Sequence, residues 1–292
     1  MKWRPGSALA FNARRRAGDL RDAGDRASRV ILLLVYIVRA LLLVPSSFAQ
    51  AVGADPQTTG KDHRPSSTRS GGWVVAAYLG SARTASSALR ISQPALNTDL
   101  IFEGVRFYGR SFDPPLYYGV RGGYFIPKLS FLGIEAEFIH MKVYSDPRQR
   151  VRAMGIYRGV LLERELTLGE IVQNYSISHG ANLLLFNLAA RWCIRPSRDD
   201  RRSRVILATR FGVGPTIPHT ESTIEGKQQE QYEWGRAAWQ WAAGAELRLW
   251  RGLYILGEYK FTRTRQRGTI FAGFAQSLLR SHHGVFGLSY HF

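Results

Sequence analysis

The chain has 292 residues, a formal charge of +18 and one cysteine, Cys193. A lone cysteine cannot close an internal disulfide and suggests no metal site, and neither a P-loop nor a dinucleotide fingerprint occurs. The charge fits nucleic acid or an anionic membrane surface.

Val30 to Val44 is an apolar run preceded by basic residues, which predicts a secretory signal over residues 1–49. Cleavage is expected near Ser47-Phe48-Ala49 or Ala49-Gln50-Ala51. A permanent anchor is disfavoured, because the run falls short of roughly 20 residues and carries Arg39. The basic stretch before it is long for a signal, so either the signal is extended or translation starts downstream of Met1. Nine basic and three acidic residues lie in this segment, leaving +12 beyond it. Residues 50–72, rich in Gly, Ser, Thr and Pro, read as a flexible periplasmic leader.

From Trp73 to Phe292 the pattern changes to period two, the signature of strands with one face in an apolar medium. Eight strands are predicted at 73–83, 116–126, 131–143, 182–193, 204–216, 236–249, 253–265 and 283–292. Connections at 127–130, 194–203 and 250–252 are short or moderate. Those at 84–115, 144–181, 217–235 and 266–282 are long. This alternation predicts an all-β, eight-stranded antiparallel transmembrane β-barrel with long extracellular loops and short periplasmic turns. Thr98–Tyr108 is strand-like and is placed within the first outer loop, and residues 159–169 suggest a short helix in the second. The final strand ends on Phe292, as outer-membrane barrels characteristically do, and the raised aromatic content suits interfacial girdles.

The alternation assigns faces. Leu132, Ile134, Ala136 and Phe138 point to lipid, with Glu135 and Glu137 inside; Trp239, Trp241 and Leu247 point out, with Gln240, Glu246 and Arg248 inside. A charge at mid-depth on the lipid face costs about 2–4 kcal/mol, so this register is strongly preferred. A barrel this narrow is filled by side chains, which argues against a porin. Its inward acids are expected to pair with Arg191, Arg210, Arg248 and Lys260.

The outer ends of the strands gather chemistry. His140, Lys142 and Asp146 end the third strand, His179 opens the fourth, His219 and Glu221 leave the fifth, and His282 and His283 open the last. Histidine near neutral pH serves as acid, base or metal ligand, so separated His, Asp and Glu residues on neighbouring strands are a candidate site. A polar rim that gathers histidines by default is the competing reading. Ser178 and His179 are adjacent and point to opposite faces, and no spacing suggests a hydrolase triad.

Several segments together resemble the lipid A oxidase-like family of bacterial outer-membrane barrels. They include Ala77-Tyr-Leu-Gly80, the run from Gly109 to Arg121, Ile134 to Asp146, His179 to Leu184, Gly214 to His219 and Gly257 to Thr262. The most specific is Phe138-Ile-His140-Met-Lys142-Val-Tyr144-Ser-Asp146. The resemblance covers most of the chain from Trp73 to Phe292.

It implies oxidation of the proximal glucosamine of lipid A to an aminogluconate, with O2 as co-substrate and peroxide released. On that reading His140, Asp146, His179, His219, Glu221 and Glu258 are the candidate catalytic residues. Lys142, Tyr144, Arg148, Arg150 and Lys260, with Arg152 and Arg158, would hold the phosphorylated headgroup, since guanidinium suits phosphate geometry. A divalent metal ion is a candidate cofactor of unassigned ligands. Lipid A and outer-membrane lipids are the expected partners, nucleic acid is not, and a monomer is expected. The alternative is a non-catalytic barrel of structural, lipopolysaccharide-binding or surface-interaction type.

Overall fold

The computed structural model describes residues 72–196 and 203–292, without the side chains of His179, Arg195 and Pro196. The expected signal and leader, up to residue 71, lie outside the described residues. Sixteen strands follow in order: β1 (Gly72–Thr84), β2 (Ser87–Gln93), β3 (Thr98–Val105), β4 (Phe107–Tyr108), β5 (Tyr118–Phe125), β6 (Leu132–His140), β7 (Val143–Ser145) and β8 (Arg150–Tyr157). Then come β9 (Val160–Thr167), β10 (Val172–Pro196), β11 (Ser203–Gly214), β12 (Thr216–Ile224), β13 (Lys227–Tyr232), β14 (Ala238–Trp250), β15 (Leu253–Ile270) and β16 (Gly273–His291).

Eight of them close a ring. The antiparallel pairings run β1–β5–β6–β10–β11–β14–β15–β16, and β16 pairs back onto β1. Closure satisfies every ladder group within the ring and leaves no open edge. No helix among the described residues is long and apolar enough to cross a membrane.

In the lower half, toward the β14–β15 turn at Arg251-Gly252, the ring is apolar outside and charged within. Ile134, Phe186, Leu188, Phe211, Trp241, Leu247, Ile255 and Phe286 are exposed on the outer face. Glu135, Glu137, Asn187, Arg210, Gln240, Glu246, Glu258 and Lys260 are buried inside. The predicted facing is therefore observed on β6 and β14. This is an antiparallel barrel of the outer-membrane type.

The upper half differs from the expected loops. β10 runs for 25 residues, β15 for 18 and β16 for 19, so the ring strands continue far past the apolar band. Residues 266–282, predicted as a long loop, are two strands joined at Phe271-Ala272. Residues 160–167, predicted as part of a helix, form β9 in a hairpin with β8. Thr98–Tyr108 forms β3 and β4 in the first outer connection, as predicted.

The two hairpins β8–β9 and β12–β13 turn on Arg158-Gly159 and Glu225-Gly226. All four residues have φ between 49° and 82°. Such two-residue turns match the strand twist and favour Gly in second place. Inside this upper half lies an apolar core that includes Leu89, Ile91, Leu100, Phe102, Val151, Leu166, Leu168 and Ile177. Its outside carries the ion pairs Arg90–Asp99, Arg152–Glu163 and Arg164–Glu170 beside exposed Ile101, Ile156, Val160 and Leu161.

Candidate functional site

Two groups of reactive side chains emerge, one sealed inside the ring and one on its outer wall. The interior group is a lattice. Arg121 reaches Glu135 at 3.6 Å, Glu137 at 3.4 Å and Glu258 at 3.2 Å. Arg210 lies 2.6 Å from Glu135, 3.7 Å from Glu246, and bonds Glu258. Lys260 Nζ sits 2.7 Å from Glu137 and 2.5 Å from Glu258. Tyr78, Asn187 and Gln240 donate to the Glu137 carboxylate as well. Each charge thus has several partners, the condition under which buried ions are tolerated.

Glu258 and Lys260, expected to face inward and pair but also to reach the rim, belong to this lattice and have no route to the outer wall. Arg191, expected in it, instead donates to the Ser130 carbonyl at 2.9 Å, with its guanidinium over Phe125. Arg121 takes the vacated role, flanked on its own face by Gly119 and Gly123. A Cβ at Gly119 would lie 2.2 Å from the Tyr78 ring, so that glycine clears the space for the Tyr78–Glu137 bond.

The outer group is built by register. β4, β7, β10, β12 and β13 bring Tyr108, Tyr144, Ser176, Glu221 and Glu230 into one cross-strand row. Cross-strand partners share a face, and this face continues the outward side that carries Phe138 and Leu184 below. One step along, His219 pairs with Tyr232, whose ring lies 4.1 Å from the imidazole. His219 Nε2 is 3.1 Å from Glu230, and Nδ1 is 3.7 Å from Glu221. Ser178 donates to Glu221. One ligand atom from each of His219, Glu221 and Glu230 lies within 4.8 Å of the others. An imidazole and two carboxylates suit a divalent transition metal.

His140 occupies the same wall lower down, stacked on Tyr118 at 5.1 Å. Asn182 donates its amide to the Ile217 carbonyl at 3.2 Å, which turns Oδ1 toward His140 Nδ1 at 2.8 Å. Nδ1 must then carry the proton, leaving Nε2 as the basic nitrogen. Gly180, at φ +114°, makes room: a Cβ there would lie 2.5 Å from the imidazole.

The other predicted residues divide. Lys142 is buried and donates to the carbonyls of Asp113 at 3.0 Å and Pro114 at 2.8 Å, holding that loop rather than opening to a ligand. Burial also lowers its pKa. Tyr144 stacks on Tyr108 at 5.6 Å, with the Arg110 guanidinium 4.9 Å above it. Burial raises the Tyr144 pKa, with the Glu221 charge adding to it. Asp146 accepts from Arg148, while Arg150 and Arg152 pair with Glu165 and Glu163 on the β8–β9 hairpin. Arg158 pairs with Glu225. The His179 side chain lies outside the described residues.

His282 and His283 point to opposite faces of β16: His282 is outward against Tyr259, and His283 is inward between Tyr117 and Thr262. Arg110 and Glu230 were not singled out in the sequence. Glu230 was legible through its turn, because a two-residue loop at Glu225-Gly226 sets it opposite Glu221.

No family model matches the chain, and no curated protein sequence matches it. Among solved structures the chain is similar to the outer membrane protease OmpT from Escherichia coli, at 9% identity over 76% of this chain and 97% of that one, TM-score 0.40. It is similar to Neisserial surface protein A (9%, 75% and 96%, 0.33). It is also similar to Ail, the attachment invasion locus protein of Yersinia pestis (10%, 76% and 99%, 0.31). The barrel assignment rests on this chain's own strand pairings and on the inversion of polarity between its faces.

Proposed function

We propose that the chain is a bacterial outer-membrane barrel that acts on the headgroup of lipid A from its outer wall, as an O2-dependent oxidase of the proximal glucosamine. The barrel spans the outer membrane with the β14–β15 turn in the periplasm and the upper half outside. One observation carries the reading: His219, Glu221 and Glu230 converge on the outward face, beyond the end of the lipid-facing band. Phosphorylated sugars of the outer leaflet lie at that depth, and a lipid reaches the wall by lateral diffusion.

The chemistry is a two-electron oxidation. The anomeric carbon loses a hydrogen and its hydroxyl loses a proton; O2 takes both electrons and both protons to give H2O2. The resulting lactone takes up water to become the aminogluconate. A divalent ion held by His219, Glu221 and Glu230 would supply a Lewis acid and a site for oxygen. His140, its tautomer set by Asn182, lies buried on the same wall and would orient the groups beside it rather than meet the hydroxyl. Arg110, braced over Tyr144, is the cation facing the same wall, suited to a phosphate oxygen. Glu258 and Lys260 act only by keeping the barrel rigid beneath the site.

The test is mass spectrometry of lipid A from cells that carry or lack the gene, grown in air. A gain of one oxygen on the proximal sugar is expected with the intact protein, and its loss with His219→Ala or Glu221→Gln. Unchanged lipid A beside correctly inserted protein would sink the oxidase and favour the non-catalytic barrel.

A further inference from the structure

A second charged surface lies on β15, β16 and β1. On β15 the outward residues run Ile255, Gly257, Tyr259, Phe261 and then Arg263, Arg265 and Arg267. The apolar face thus gives way to three arginines in succession, about 7 Å apart along the strand. On β16, Arg280 stands directly across from Arg263, and the outward Arg83 of β1 faces His282 one step below. All five arginines are exposed.

Like charges placed directly opposite in a sheet destabilise it. On β2, β8 and β9, exposed arginines pair with a carboxylate: Arg90 with Asp99, Arg150 with Glu165, Arg152 with Glu163, Arg164 with Glu170. Among the described residues, none of the five forms such an ion pair. Arg280 instead donates to the Ser86 carbonyl at 3.2 Å, and Arg267 lies over the Phe274 ring at 3.9 Å. Those contacts fix the Arg280 and Arg267 guanidiniums and leave their charge uncompensated.

We infer that Arg263, Arg265, Arg267, Arg280 and Arg83 form a binding site for a phosphate-bearing lipid headgroup of the leaflet around the barrel. The ligand class follows from three features. Guanidiniums in a row suit a phosphomonoester through paired hydrogen bonds. Tyr259 and Phe261, with Trp239 tilted against Phe261 at 5.5 Å, form an aromatic shelf just below, where acyl chains meet headgroups. Leu278, paired with Arg265, sets an apolar contact between the charges. The inference rests on the barrel's place in a membrane and not on the oxidation, since its residues lie on other strands than His219 and His140.

The test uses the purified full chain in phosphatidylcholine nanodiscs, doped with phosphorylated lipid A or with its dephosphorylated form. Native mass spectrometry then counts the lipid retained. Retention of the phosphorylated lipid alone is expected, weakened about 100-fold by combined Arg263→Gln, Arg265→Gln and Arg280→Gln. Heat-modifiable gel migration checks that the variant is folded; should it fail to fold, the contrast between the two lipids on the unaltered protein decides. Equal retention of both lipids, or a folded triple variant that binds like the parent, overturns the site. Retention abolished by millimolar inorganic phosphate, with no preference between lipids, would mark a free-anion site and overturn the lipid assignment. Loss of lipid A oxidation with retention intact would sink the enzyme while leaving this site standing.

Discussion

The lower and upper halves of the barrel differ on the outer face of one continuous strand. Below, β15 buries Glu258 and Lys260 and exposes Ile255 and Tyr259; above, it exposes Arg263, Arg265 and Arg267. β2 and β3, which belong to the upper half alone, bury Leu89, Ile91, Leu100 and Phe102 and expose Arg90. The strand geometry is continuous, so the reversal reports a change of solvent. Lipid selects apolar side chains outside and drives polar ones in, whereas water does the opposite. The boundary is where a headgroup would lie, and both surfaces assigned a lipid ligand sit on it.

Breaking the interior lattice should have the largest effect. Glu258→Ala leaves Arg121, Arg210 and Lys260 short of a shared partner, and removing one member of a buried ion network costs about 3–5 kcal/mol. Urea unfolding in bilayers, followed by gel migration, should move to lower denaturant by that amount. A cost under about 1 kcal/mol would mean the lattice is solvated. Smaller is the cost of Gly180→Ala, about 1–3 kcal/mol from backbone strain and collision with His140. It should abolish lipid A modification while the barrel still inserts.

The smallest effect concerns the Arg158–Glu225 clasp between the two hairpin turns. The hydrogen bond from Arg158 holds the Glu225 carboxyl below its usual pKa, aided by Tyr157. A depressed carboxylate stabilises above its unfolded pKa of about 4.3 and loses that contribution as pH falls through the folded value. Hydrogen exchange at the Gly226 amide, corrected for intrinsic rate, should therefore accelerate in acid. Glu225→Gln should remove this dependence, and an unchanged acid profile in that variant would disprove the clasp.

How much of this was legible depended on the solvent each segment faces. Strand faces on β6 and β14 were readable because lipid imposes strict alternation. Outside the membrane that constraint lapses: residues 172–181 and 227–232 carry polar side chains on both faces, so they read as loops. Val160–Thr167 mixes apolar and charged residues without clear period two and suggested a helix, although Arg158-Gly159 before it signalled a hairpin. Within the site, His219 and Glu221 were found as rim residues. Glu258 and Lys260 were misplaced to the rim because inward facing and depth were not weighed together. Lys142 read as a phosphate ligand because carbonyl acceptors from a distant loop leave no trace in sequence.

The most direct test of the two-level account is an arginine pair measured in lipid bilayers. Leu247→Arg, on the lower outer face, should destabilise by about 2–4 kcal/mol. Ile101→Arg, equally outward but in the upper half, should stay within about 0.5 kcal/mol. Matching costs at the two positions would contradict the account, because the solvent boundary on which both proposed sites depend would not lie between them.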